Sequence, residues 1–285
     1  MQKTKEKRAI LITGCSSGIG YHVAVELDKL GYQVIASARK MQDVQKLQKL
    51  GLSSVQLDLD DTESIRNAFQ QTLEISGGSL YALFNNGAYG QPGAVEDLSR
   101  ETLRAQLETN LLGWHELTSL VLPVMREKSE GRVIYNSSIL GFAAMPYRGA
   151  YNCSKFALEG LVDTLRMELK GTGIFLSLIE PGPILSNFRK NAMAKFFQNI
   201  DADNSFHKAQ YDAMKKRLKT EGPAAPFTLP PDAVLKRVLH ALESKKPKIR
   251  YPVTVPTFVF AFLKRILTHR ALDRLLMLSS GDGKR

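Results

Sequence analysis

Tyr151 and Lys155 stand four positions apart in GAYNCSKFAL, residues 149–158. Residues i and i+4 share one face of a helix, so the phenol and the amine are neighbours. A free phenol titrates near about 10 and an amine near about 10.4, and neither exchanges protons usefully at neutral pH alone. An ammonium fixed beside a phenol favours phenolate and pulls the tyrosine toward a working acid/base range. The pair therefore points to proton transfer at Tyr151. Taken alone, the decapeptide fits a packed tyrosine and a solvated lysine better, and the surrounding chain decides.

Around the pair the elements alternate. Short apolar runs at AILIT (9–13), YQVIASA (32–38), SVQLDL (54–59), LYALFN (80–85), GRVIYNSS (131–138) and GIFLSLIEPG (173–182) read as strands. Amphipathic stretches at 19–31, 41–51, 62–76, 100–128 and 150–170 read as helices, with Thr62 the expected N-cap of the third. Strands apolar on both faces and separated by helices predict a parallel sheet with right-handed crossovers. The expected fold is a doubly wound, Rossmann-like α/β fold in a single domain, 1–285.

From Ile184 to Pro231 the alternation stops in a helical, basic segment closed by EGPAAPFTLPP (221–231). An insertion of that length inside a compact domain, here 184–231, is expected to be a substrate lid. A helix at PDAVLKRVLHALES and a last strand at KIRYPV follow, then an apolar, basic tail over 253–285.

The first strand runs into TGCSSGIG, 13–20. Gly14 permits the turn, Gly18 lets backbone approach a pyrophosphate, and Gly20 lets helix pack on sheet. Ser16, Ser17 and Ile19 lie in the same loop and are expected cofactor contacts, because a helix N-terminus offers free N–H groups and a positive dipole end. The second strand ends in Ala38, Arg39 and Lys40, without the carboxylate that would accept from a ribose 2′-hydroxyl. Arg39 instead suits a 2′-phosphate through charge-assisted, bidentate hydrogen bonds, which predicts NADP (NADPH) over NAD.

Composition narrows the classes. Two cysteines, Cys15 and Cys153, and five scattered histidines provide neither a disulfide framework nor a metal site, which favours a reducing cytoplasm. The N-terminus has a basic start but no apolar stretch of signal-peptide kind. A net charge of +11 raises nucleic acid as a partner, but the cations are spread along the chain apart from KKRLK (215–219) and lack interleaved aromatics. An anionic cofactor and a basic surface account for the charge, and no nucleic-acid partner is expected.

On TGCSSGIG, Asn110, the serine pair at 137–138, Tyr151-x-x-x-Lys155 and PGPILS (181–186), the chain resembles the short-chain dehydrogenase/reductase family over residues 8 to 190. SLIEPGPI and RYPVT (250–254) are similar to bacterial NADP-dependent aldehyde reductases of broad specificity, with hydroxysteroid and retinol dehydrogenases the next group. The resemblance implies Tyr151 as acid/base and Lys155 as its partner and holder of the nicotinamide ribose. It implies Ser138 as hydrogen-bond partner of the substrate oxygen, and Asn110 as the residue holding a helix bend and a water in the proton path. It places Asp58 at the adenine amino group, Asn86 beside the cofactor, and Pro181, Gly182, Ile184 and Ser186 along the nicotinamide. The family order Asn-Asn-Ala-Gly is replaced here by Asn85-Asn86-Gly87-Ala88, which would strain Ala88 if that position needed positive φ. Ser137 rivals Ser138, and strand alternation allows only one of them into the cleft; the family spacing selects Ser138.

The implied activity is reduction of aldehydes or ketones, with small carbonyl or alcohol compounds as substrates. The alternatives are a hydroxysteroid or retinol-type dehydrogenase and an NADP-binding sensor without turnover. Leu140, Phe142, Met145 and Tyr147, with Phe188, Met193, Phe196 and Phe197 of the lid, are candidate substrate walls of apolar character. The likeness further implies a homo-oligomer, a dimer or tetramer, through helices 100–128 and 150–170. The tail holds an apolar run with a proline inside it, too short to span a bilayer. Covering the pocket or packing against a second subunit is the first expectation for it, and peripheral membrane contact the second.

Overall fold

The computed structural model describes residues 8–219, 222 and 225–281. Residues 1–7, part of the proline-rich 221–231 stretch and the tail end 282–285 lie outside the described residues. One sheet of seven parallel strands forms the frame: β1 (Ala9–Ile12), β2 (Gln33–Ala38), β3 (Ser53–Gln56), β4 (Ala82–Asn85), β5 (Gly131–Asn136), β6 (Ile174–Glu180) and β7 (Arg250–Pro252). Their order is β3-β2-β1-β4-β5-β6-β7. The chain winds outward from β1 in one direction and from β4 in the other, which opens a crevice beyond the carboxyl ends of these two strands.

Each face of the sheet is apolar because successive strand residues alternate sides. On one side Ile10, Ile12, Val34 and Ala36 pack under α1 (Gly18–Lys29), α2 (Met41–Lys49) and α9 (Asp232–Glu243). On the other side Leu11, Ile35 and Val133 pack under α3 (Thr62–Ser76), α5 (Gly113–Glu127) and α6 (Gly149–Glu168). Leu11 pairs in register with Ile35 on one side and Leu83 on the other, so the buried rows run across the sheet. Burial of each such side chain contributes roughly 1.5–3 kcal/mol.

Several boundaries differ from the sequence expectations, each for a local reason. Asp61, not Thr62, caps α3: its Oδ1 accepts from Glu63 N at 3.0 Å, while Thr62 Oγ1 donates to Glu116 on α5 at 2.9 Å. The helix expected over 100–128 is α4 (Arg100–Leu107), a π-helical turn (Glu108–Leu112) and α5. The extra residue of the turn shifts the helix register and brings Gly113 against the Leu59 backbone, where a Cβ would lie 2.9 Å from the Leu59 carbonyl carbon. β5 ends at Asn136, short of both serines.

Helices α7 (Phe188–Asn199) and α8 (Lys208–Lys219) occupy the 184–231 insertion and enclose a small core of Phe196, Ile200, Tyr211 and Met214. The tail folds as α10 (Val255–Ile266) and α11 (His269–Ser280). Pro256 sits in the first turn of α10, so the proline starts a helix rather than interrupting the apolar run. No helix of the described residues is long and apolar enough to cross a membrane.

Candidate active site

The glycine loop follows β1. Gly14 (φ +72°) and Gly18 (φ +62°) take backbone angles that L side chains rarely adopt. A Cβ at Gly14 would lie 2.5 Å from Gly87 Cα, and one at Gly18 would lie 3.1 Å from Ser186 Cβ. Ser17, the N-cap of α1, makes no side-chain cap bond, so the first-turn N–H groups are uncovered by the residue that would ordinarily cap them. Ser16 is exposed and Ser17, Gly18 and Ile19 are half-exposed, whereas Gly20 is buried against the loop. This set of backbone donors, bare glycines and a positive helix end fits the pyrophosphate of a dinucleotide. Arg39 and Lys40 are exposed just past β2. Asp58 is half-buried past β3, and its Oδ1 accepts from Asp60 N at 3.2 Å.

The departure at Asn85–Ala88 has a physical account. Thr13 Oγ1 accepts from the N–H groups of both Asn86 and Gly87 at 2.8 Å, which pulls this turn onto the glycine loop. A Cβ at Gly87 would lie 3.2 Å from Gly14 N, a tight fit, and Ala88 is not among the residues with positive φ. The Asn86 side chain is committed within the protein: Nδ2 donates to Thr13 O at 2.9 Å, and Oδ1 accepts from Asn136 at 2.9 Å. It holds the loop in place rather than presenting a free amide.

Tyr151 lies in the first turn of α6 and Lys155 one turn on, fully buried. Lys155 Nζ donates to Asn136 O at 2.8 Å and lies 4.1 Å from the Trp114 ring centroid and 5.7 Å from that of Tyr151. Burial pushes the Tyr151 phenol up to about 12, and a hydrogen bond with Ser138 opposes that shift. Burial pulls Lys155 down to about 7, with the Glu159 carboxylate acting against it. In the protein chain by itself burial outweighs the Ser138 contact at the phenol, and Lys155 does not enter among the causes of that shift.

The two serines separate, though not by strand alternation, since both lie past β5. Ser138 caps a short 3-10 turn, its Oγ accepting from Leu140 N at 3.0 Å, and faces Tyr151. Ser137 Oγ donates to Glu159 Oε1 at 2.5 Å, away from the phenol. Asn110 is fully buried at the π-helical turn, which is the expected helix bend. Its Nδ2 donates to Tyr89 O at 2.9 Å and Ser154 Oγ at 3.2 Å, and its Oδ1 accepts from Tyr89 N. Ser154 Oγ in turn donates to the Tyr151 carbonyl at 2.8 Å. Asn110 thus positions the start of α6 through Ser154.

Beyond β6, Pro181 O accepts from Ile139 N at 2.8 Å, tying this segment to the Ser138 turn. Gly182 is half-buried against Thr254, Ile184 bridges to Leu229, and Ser186 is exposed opposite Gly18. Phe188, at the start of α7, stands edge-on to Tyr151 at 5.4 Å between ring centroids. Gly90 is bare where a Cβ would lie 2.8 Å from the Phe188 ring. Leu140, Phe142 and Met145 gather with Tyr151 as expected of a wall, joined by Phe260, Leu272 and Leu276 of the tail. Phe196 does not line the site: it is fully buried in the core of the insertion.

Sequence reasoning missed Asn136, Trp114 and Glu159. Glu159 accepts from Ser137 and pairs with Arg250 at 3.0 Å, and Arg250 also reaches Asp163 at 2.7 Å and Glu180 at 3.3 Å. An acidic residue four positions after Lys155, on the buried face of an amphipathic helix, is the signal that could have found it. Cys15 is buried, donates to Ile12 O at 3.2 Å, and is pushed up to about 12 by burial, which marks it as a packing residue.

Known proteins agree with this architecture. A family model described as short chain dehydrogenase matches residues 8–195. An uncharacterized oxidoreductase of Escherichia coli (strain K12), YbbO, is 42% identical over 270 residues, 95% of this chain and 94% of its own. Retinol dehydrogenase 8 of Homo sapiens is 30% identical over 292 residues, 94% of this chain and 91% of its own. A solved short-chain dehydrogenase from Streptomyces avermitilis has the same fold, with a TM-score of 0.74 at 23% identity over 99% of this chain and 97% of its own. With the match spanning the glycine loop, the Tyr151–Lys155 helix and the segment past β6, the chain belongs to the short-chain dehydrogenase family of oxidoreductases.

Proposed function

We propose that the protein is an NADP-dependent reductase of aldehydes or ketones, with Tyr151 as proton donor. The observation that carries this reading is the placement of Tyr151 in the first turn of α6 facing Ser138, where burial favours the protonated phenol. A phenol that keeps its proton across neutral pH is suited to giving it to a carbonyl oxygen as that oxygen gains negative charge. Ser138 Oγ donates to the same oxygen and orients the carbonyl. Lys155, held by Asn136 O, offers the remaining N–H donors of its ammonium to a ribose in the cleft. Asn110 fixes the first turn of α6 and so the place of the phenol. When bound, the nicotinamide supplies the hydride that reaches the carbonyl carbon.

Arg39, exposed past β2 with no acidic neighbour at Ala38 or Lys40, supports NADPH as the form used. The glycine loop, Asp58, and the Pro181 to Ser186 segment are proposed to flank the cofactor, and α7 and α8 to form the substrate lid. A groove lined by Leu111, Leu112, His115, Ala157 and Leu161 suits pairing with a second copy through the π-helical turn, the start of α5 and α6. A cytoplasmic site of action goes with this reading. A second reading, oxidation of a retinoid or hydroxysteroid alcohol, draws on the likeness to retinol dehydrogenase 8 and on the apolar wall around Leu140 and Phe142.

Consumption of NADPH and of NADH against aliphatic and aromatic aldehydes, ketosteroids and retinal tests the proposal. Turnover of aldehydes with NADPH well ahead of NADH is expected. Exclusive turnover of retinoids or steroids would move the second reading to first place, and tight NADPH binding without turnover would make the protein a cofactor-binding sensor.

A further inference from the structure

Helices α10 and α11 have two unlike sides. On the inner side, Phe260 and Leu276 pack with Ile139, Leu140 and Ala143, in the cluster that also holds Tyr151. The outer side of α10 turns Val255, Phe258, Val259, Phe262 and Ile266 to solvent, each 45–61% exposed. At 3.6 residues per turn these five fall within roughly 100° of the helix surface, the width of a stripe that ordinarily faces a core. α11 adds Leu275 and Leu278, at 38% and 70%. Cations border the apolar positions: Arg265, Arg270 and Arg274 are exposed, and Lys264 lies over the rings of Phe142 and Phe156. Over 253–285 the sequence carries six Lys or Arg residues against two Asp.

We propose that this outer face docks on an anionic lipid bilayer, so that the site walled by the inner face receives lipophilic carbonyl compounds dissolved in the membrane. The second half of that statement rests on the carbonyl-reductase reading; the docking does not. Two copies meeting through this face would bring like charges together, whereas an anionic bilayer supplies both the counter-charge and the apolar depth for Phe258, Phe262 and Ile266. No described helix is long and apolar enough to span a bilayer, and the contact proposed is a peripheral one. The arrangement places the bilayer on one side of a helix pair and Tyr151 in the cluster on the other, which shortens the path of a substrate that water would not carry.

The test is sedimentation of the full chain with phosphatidylglycerol–phosphatidylcholine vesicles and with phosphatidylcholine vesicles alone. Binding to the anionic vesicles, weakened by salt, is expected. The pair Phe262→Ser and Ile266→Ser should lower the partition coefficient roughly tenfold or more, from the lost apolar burial. The same pair should leave turnover of a short water-soluble aldehyde unchanged while lowering turnover of a long-chain aldehyde loaded in the vesicles. Wild-type protein that stays in the supernatant overturns the proposal, as does a variant that pellets like wild type. A smaller oligomer in the variant, with no vesicle binding by either protein, also overturns it and assigns the face to a second copy. Vesicle binding without turnover of either aldehyde would leave the docking face standing and sink the reductase reading instead.

Discussion

Lys155 Nζ donates to the backbone carbonyl of Asn136 at 2.8 Å, at the end of the strand that leads to Ser138. Through the Asn136 side chain and Asn86 the same residue is linked to the carbonyls of the glycine loop. The lysine is therefore seated before any cofactor arrives, and it is seated in a place that disfavours its charge.

From this a proton balance follows. Burial pulls Lys155 down to about 7, so in the free protein the amine loses its proton as pH rises through neutrality. A dinucleotide carrying negative charge nearby raises that value again. The part of the proton uptake on NADPH binding that belongs to Lys155 should be about half a proton or more at pH 7.5 and almost none at pH 6, where the lysine is already charged. Calorimetry in buffers of different ionisation enthalpy reads the uptake directly, and Lys155→Arg should abolish that part.

Arg39→Ala tests the phosphate reader. Loss of a charge-assisted hydrogen-bond pair worth about 2 kcal/mol should raise KM for NADPH roughly 30-fold and leave KM for NADH within about twofold. Equal effects on both cofactors would mean that Arg39 does not read a 2′-phosphate.

Stability should carry the signature of Glu180. Burial, with the Glu159 charge beside it, raises this carboxyl to about 8, although Arg250 lies 3.3 Å away and acts in the opposite sense. The folded protein thus keeps a proton that the unfolded chain releases above its ordinary carboxyl value. The stability tied to that proton is whole below about pH 4.5 and is gone once pH passes about 8. Glu180→Gln should therefore gain on wild type as pH rises from 5 to 9, by roughly 2 °C or more in Tm at the alkaline end. A difference that does not change with pH would show that Glu180 is charged throughout.

Much of this molecule is legible in its sequence because one rule at a time decides each part. The strand runs around Leu11, Ile35 and Leu83 are apolar on both faces, and only a covered parallel sheet satisfies that. Gly14 and Gly18 mark their turn through positive φ, which few other residues tolerate. What the sequence hides depends on tertiary contacts that no local pattern records. Thr62 lost the cap to Asp61 because Glu116, on a distant helix, takes its hydroxyl. The break at Asn110 accompanies the close approach of Gly113 to Leu59, far apart in the chain. Burial pushes the Tyr151 phenol up and pulls the Lys155 amine down, and no local pattern in the sequence records that burial.

In the proposed carbonyl reduction the Tyr151 hydroxyl supplies the proton. The most direct test of that role is single-turnover reduction of a short aldehyde by NADPH-loaded wild type and Tyr151→Phe. Cofactor binding is followed in parallel by fluorescence of Trp114, the one tryptophan of the chain, which stacks against Lys155. Loss of one hydroxyl as general acid should slow the chemical step roughly 10³-fold while the NADPH affinity stays within about threefold. A variant that reduces the aldehyde at close to the wild-type rate would contradict the account.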